Sequence, residues 1–305
     1  MLPITVGLDG SREGLAAAYW AAREAAQREV TLRLLNAGDP PGPQYVSFMG
    51  IPPSGAGDAQ GQWSSRLLRE TERRLAERHP GLRITTRQDR EQAVPALLTA
   101  AQDSDLLVLG SRRLGAVTGF LVGSVALAVV ARTQRPVVLV RAGESAEDEH
   151  LPDATGTGAI ITPYRDVVLG LDLHSPADAV VEFAFEAARR RAASLRVVHG
   201  WTPAAVYGYG AVLDSGLDAA ELAEEARHGL GDVLRPWKDK FPGVQVREQA
   251  VIGGAGRHLV HASRDASLLV VGRKQRRAPV GGRIGPVTHA VLQHAWAPVA
   301  VVPHD

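Results

Sequence analysis

Apolar and polar positions along this chain follow two alternating periods. Ile4–Leu8 is a short, nearly unbroken apolar run, the mark of a strand buried on both faces. Alanines and Trp20 then recur at helical spacing to about Arg28, and Ser11 or a neighbour is placed to cap that helix. Thr31–Asn36 reads as a second strand, and the Gly- and Pro-rich stretch Gly38–Gly61 as a loop without periodicity. Leu67, Leu68, Leu75 and Ala76 predict a helix over about Gln62–Arg78, stopped by His79-Pro80-Gly81. A third strand is expected at Leu82–Arg87. Pro95 suits the first turn of a short helix ending near Gln102. Leu106–Leu109 and Val137–Val140 are further apolar strands, separated by a helix at Ser124–Thr133. Apolar strands alternating with helices predict a five-stranded parallel sheet covered on both faces, doubly wound by right-handed crossovers. Ligands of such sheets bind at the carboxyl ends of the strands.

The pattern occurs twice. VGLDGSREGLAAAYWAA from Val6 returns as LGLDLHSPADAVVEFAF from Leu169, so that Asp9, Trp20 and Leu32 correspond to Asp172, Phe183 and Leu195. DLLVLGSRR (Asp105–Arg113) returns as SLLVVGRKQ (Ser267–Gln275), and RPVVLV (Arg135–Val140) as APVAVV (Ala297–Val302). Each copy is therefore one domain of roughly 140 residues. Domain 1 is expected over 1–141 and domain 2 over 166–305. Residues 142–165, acidic in GESAEDEH and then small and polar, read as a solvated linker.

Composition narrows the function without naming it. The 305 residues are 45% hydrophobic and 22% charged, values of a globular protein, and suit two domains of ordinary size. A formal net charge of +1 gives no electrostatic case for a nucleic-acid or membrane partner. No cysteine is present, which removes disulfides, thiolate nucleophiles and cysteine metal sites. MLPITVGLDG has no basic segment followed by an apolar run, so no signal peptide is expected. No apolar stretch reaches the roughly 20 residues of a membrane span. The cytoplasm is the expected location.

The motif with most chemistry is GSRRLGAVTGFLVGS, Gly110–Ser124. A glycine closes the fourth strand, spare glycines follow, and Gly-Ser opens a helix. Glycine permits close backbone approach. Free amides at a helix start, with the Ser124 hydroxyl, suit phosphate oxygens. Asp9, at the same sheet edge, could orient ribose hydroxyls or hold a nucleotide-bound magnesium ion. A plainer reading stands beside this one: Ser124 and Asp9 merely cap their helices. The loop is neither a Walker A motif nor a dinucleotide fingerprint, because no Gly-Lys pair occurs and Leu259 stands where GAG (Gly254–Gly256) would need a third glycine.

Other candidates carry less. His258 and His261 have the spacing of paired metal ligands but no evident third partner, which favours structural or surface roles. The run Arg273–Arg277 reads as a solvated loop rather than a phosphate or nucleic-acid site. Tyr207 and Tyr209 could stack on a base or pack between domains. No GxSxG elbow, HExxH helix or nucleophile–His–acid set is visible, so a dedicated catalyst is not expected.

The strand ending in Asp, the WAAREAA helix, LRVVHG after the second strand and the glycine loop followed by PVVLV resemble the universal stress protein family, with a tandem layout like that of actinobacterial members. The resemblance covers both copies and implies an adenine nucleotide alpha hydrolase-like fold, ATP as ligand with magnesium as an accompanying ion, and a regulatory stress-response role. It also implies pairing of the two copies through their last strands as an intramolecular pseudo-dimer, a further homodimer being open, and a protein partner. The family's ATP signature is Gly, two residues, Gly, nine residues, then Gly and Ser or Thr. Gly110, Gly123 and Ser124 fit it, with Arg113 in the place of the second glycine. Gly272 and Gly285 fit in copy two, but Gln275 and Pro286 do not. By resemblance Leu8, Asp9, Ala37, Gly110, Arg113, Gly123, Ser124 and Val125 would contact nucleotide in copy one. In copy two the set is Asp172, Gly200, Gly272, Gly285 and Val287. Pro286 removes an amide donor and a hydroxyl, so copy one is expected to hold ATP and copy two to bind weakly or not at all. Two rivals remain: an interaction module without nucleotide, and a slow ATPase or adenylate- or phosphate-transferring enzyme.

Overall fold

Ile4 and Val6, both wholly buried, lie on the central strand of the first sheet. The computed structural model describes residues 1–38, 53–111, 123–153, 155–156, 158–201, 219–275 and 284–305. These form two units, Met1–Ser145 and Ala146–Asp305. In unit 1 the chain runs β1 (Ile4–Gly7), α1 (Arg12–Arg28), β2 (Leu32–Ala37), α2 (Pro53–Arg78), β3 (Ile84–Asp89), α3 (Ala93–Gln102), β4 (Leu106–Ser111), α4 (Ser124–Arg132) and β5 (Val137–Arg141). The strands are parallel in the order β3-β2-β1-β4-β5. The winding therefore reverses between β1 and β4, and a crevice opens beyond their carboxyl ends.

Small side chains set the spacing in this unit. Ala17, Ala18, Ala21, Ala22 and Ala25 form a fully buried face on α1, and Trp20 adds bulk. A Cβ on Gly110 would come within 2.5 Å of the Glu13 backbone, so β4 and the start of α1 approach closely only because that residue is glycine. The one polar residue buried within β1, Thr5, is satisfied by the Ser104 hydroxyl at 2.7 Å. Ser11 caps α1, its hydroxyl accepting the Gly14 N–H at 3.0 Å.

Unit 2 repeats the order: β6 (Asp166–Gly170), α5 (Asp178–Arg191), β7 (Leu195–Trp201), α6 (Ala219–Lys240), β8 (Val246–Ile252), α7 (Ala255–Ala262), β9 (Ala266–Lys274), α8 (Pro286–His294) and β10 (Val299–His304). Its parallel order is β8-β7-β6-β9-β10. Phe185 of α5 stacks on Trp237 and Phe241, with centroids 6.2 and 5.4 Å away, and ties α5 to the end of α6.

Three elements differ from the sequence reading. Helix α2 begins at Pro53, inside the stretch expected to be loop. Gly55, Gly57 and Gly61 mask its helical character, while Pro is at ease in a first turn. Strand β3 is shifted two residues onward, to Ile84–Asp89. The expected linker contains ordered structure: a short 3₁₀ turn at Glu147–Glu149 and isolated bridges His150–Tyr164 and Pro152–Gly158. Glu149 and His150 are buried there, with His150 Nδ1 donating to the Thr162 carbonyl at 2.5 Å and Arg165 Nε to the His150 carbonyl at 2.9 Å. Acidic composition suggested a solvated connector, but partnered polar groups can be buried. Among the described residues no helix is long and apolar enough to cross a membrane.

Candidate functional site

The carboxyl end of β1 is held by hydrogen bonds to β2. Leu8 N–H donates to the Leu35 carbonyl at 2.8 Å, and Asn36 Nδ2 donates to the Leu8 carbonyl at 2.7 Å. The chain then turns through Gly10, whose φ of +79° lies in the left-handed region and whose Cα faces the Trp63 ring of α2. Asp9 Oδ1 accepts the Ser11 N–H at 3.0 Å and the Ser11 hydroxyl as well. Asp9 thus supports the cap of α1 through Ser11. One carboxylate oxygen is committed to that turn.

At the other wall, Gly123 is the N-cap of α4 and Ser124 its first helical residue, with no side chain capping the helix start. The plain reading of Ser124 as a cap is therefore not what the structure contains. A Cβ on Gly123 would meet nothing within 4 Å among the described residues, and its φ of −56° is one that any residue adopts. Leu8, Asp9, Ala37, Gly110, Gly123, Ser124 and Val125 together line one crevice of about 200 Å³. Four segments far apart in sequence meet there. Arg113, Tyr207 and Tyr209 lie outside the described residues.

The matching crevice of unit 2 is larger, about 690 Å³, and Asp172, Gly200, Gly272, Gly285 and Val287 all line it. Asp172 Oδ1 accepts the His174 N–H at 3.0 Å, repeating the Asp9 turn. Gly200 is again a packing residue, since a Cβ there would stand 2.5 Å from Ala255 Cα. Pro286 occupies the first turn of α8 after the Gly285 N-cap. Its ring leaves that position without an amide donor.

Sequence reading missed three wall residues of this crevice. His199, 5% exposed, donates from Nδ1 to the Leu171 carbonyl at 3.0 Å, as Asn36 does in unit 1. Thr288 donates to the Gly272 carbonyl at 2.8 Å. His304 lies across Gly272, its ring 2.9 Å from where a Cβ would stand. The available signal was the alignment of the two copies, in which His199 and His304 stand at Asn36 and Ala142. A correction concerns Arg273 and Lys274: both finish β9 rather than lying in a solvated loop. Arg273 is buried, and desolvation pushes its guanidinium below the usual arginine range. Outside the crevices, His258 Nε2 donates to the Ile252 carbonyl at 3.0 Å. No group of three or more metal-capable side chains occurs among the described residues.

The pattern of the universal stress protein family matches residues 1–141 and 163–303. The chain belongs to the universal stress protein family. A universal stress protein of Mycobacterium tuberculosis strain H37Rv is 29% identical over 98% of this chain and 96% of its own length. One from Mycolicibacterium smegmatis is 28% identical at the same coverage. Among solved structures, a universal stress protein from Archaeoglobus fulgidus superposes with a TM-score of 0.69 at 13% identity, covering 99% of this chain and 98% of that one. A protein of unknown function from Pseudomonas aeruginosa gives 0.57 at 14% identity, covering 100% and 93%. At those identities the structures establish the fold. The tandem arrangement of this universal stress protein is thus shared over nearly the whole length of its mycobacterial relatives.

Proposed function

We propose that this universal stress protein is an ATP-binding regulator whose nucleotide is held by unit 1. The observation that carries the reading is the start of α4, where Gly123 and Ser124 face the crevice and, among the described residues, no side chain caps the helix. Such a start favours phosphate oxygens through its free N–H groups and the helix dipole. Ser124 adds a hydroxyl donor. Ala37, at the end of β2, would meet the base. The second carboxylate oxygen of Asp9 would face ribose or a nucleotide-bound magnesium ion. Size alone favours unit 2, since unit 1 encloses only about 200 Å³ against about 690 Å³. Donor chemistry decides the other way, because Pro286 removes an amide and a hydroxyl where a triphosphate needs them. Part of the nucleotide would then lie beyond the enclosed volume of unit 1.

In this reading ATP biases the conformation of loops that a protein partner senses, and hydrolysis is at most slow. Mass spectrometry of small molecules released from the purified, denatured chain tests it. Co-purified ATP is the expected result. Quantities of ADP or AMP would indicate turnover, and absence of nucleotide would favour an interaction module. Gly123→Val fills open space without straining the backbone, so the fold should persist while ATP affinity falls by about tenfold or more. Unchanged retention by that variant would place the site elsewhere.

A further inference from the structure

The crevice of unit 2 is larger than that of unit 1, and its chemistry differs. Its floor is apolar, formed by Leu171, Val198, Leu259 and Val271. Its rim carries nitrogen: His199 at the end of β7, Arg273 and Lys274 at the end of β9, and His304 at the end of β10. In unit 1 the places of His199, Arg273 and His304 are taken by Asn36, Ser111 and Ala142. Three side chains able to carry positive charge are therefore particular to unit 2.

Their placement is built by the fold. His199 Nδ1 donates to the Leu171 carbonyl at 3.0 Å, so Nε2 is the ring nitrogen left for a ligand, and it donates to an anion when the ring is protonated. His304 pairs in register with Lys274 across β10 and β9, and its ring covers Gly272 at 2.9 Å from a notional Cβ. Any side chain at 272 would displace that ring. Among the described residues Asp172 is the one acidic residue on the wall, and its Oδ1 already accepts the His174 N–H at 3.0 Å. A volume of about 690 Å³ falls within the range of roughly 300–1,000 Å³ usual for small-molecule sites.

We infer that the crevice of unit 2 binds a small organic anion, an apolar or aromatic body bearing one carboxylate or phosphate. The body lies on the apolar floor, and the acid group is met by the His199, Lys274 and His304 side chains, which share one face of the sheet, instead of by helix-start amides. Pro286 is compatible with this ligand, because recognition no longer depends on the first amides of α8.

Isothermal titration of the full-length chain with 1-naphthyl phosphate and 1-naphthoate tests the inference, with uncharged 1-naphthamide as control. Both anions should bind, and the amide at least about tenfold more weakly. His199→Asn installs the residue that unit 1 uses for the same carbonyl bond, and Lys274→Gln changes an exposed position, so both variants should fold. Each should weaken anion binding by about threefold to tenfold and leave ATP retention by unit 1 untouched. Gly123→Val should lose ATP and keep the naphthyl anions, which separates failure of this inference from failure of the ATP reading. Equal affinity for the amide, no binding of either anion, or unchanged anion affinity in both His199→Asn and Lys274→Gln would overturn it.

Discussion

Gly110 and Gly123 belong to the same glycine-containing segment, but their surroundings differ. A methyl group on Gly110 would press on the Glu13 carbonyl carbon at 2.5 Å and the Gly14 nitrogen at 2.7 Å, both backbone atoms that cannot swing aside. Gly110→Ala should therefore lower stability by about 1–3 kcal/mol, the usual cost of overpacking. Gly123→Ala should stay within about 0.5 kcal/mol, since its added atom meets open space. Urea unfolding midpoints of the two variants would check the contrast, and equal losses would contradict it. Neither glycine has a positive φ, so nothing in the local sequence separates them. The distinction is made by α1, about a hundred residues earlier in the chain. Asp9 is a similar case. Its place at the sheet edge was legible from the strand pattern, whereas its bond to the Ser11 N–H depends on the geometry of the turn.

The first helix of each unit ends in the same unusual way. Glu29 after α1 and Ala192 after α5 occupy the left-handed region, with φ of 55° and 48°. Glycine is the residue such C-caps favour, because a Cβ there crowds the backbone. Glu29→Gly and Ala192→Gly should each stabilise the protein by about 0.5–1 kcal/mol once the extra freedom of glycine in the unfolded chain is subtracted. Thermal unfolding should show higher midpoints for both, and a lower midpoint for either would contradict the argument. Helices and strands with strong periodicity were legible from sequence nearly to their ends, as with α1 and α3. Helix α2 was legible only from Gln62, because glycines in its first turns have poor intrinsic propensity and tertiary context overrides it. The ordered turn around Glu149 was not legible, since acidic residues in a connector ordinarily remain solvated.

Duplication gives each unit the same strand winding, and the two crevices have different walls. Full-length protein should bind one equivalent of ATP per chain by isothermal titration, because α4 offers its first amides and α8 begins with Pro286. Two equal sites per chain would show that the proline does not exclude a triphosphate. The sequence by itself determined the number of repeats, the alternation of strand and helix, the parallel sheets, and the Gly-Ser against Gly-Pro difference at two helix starts. Those features are written in short-range periodicity and in direct comparison of the copies. The tertiary structure alone decided which glycines are packing residues and that the segment after Ala146 folds into unit 2. It also decided that His199, Arg273 and His304 share one crevice. These depend on which strand ends become neighbours and on contacts of a few ångströms between segments remote in sequence. Strand register and close packing set such contacts, and local residue pattern does not encode them.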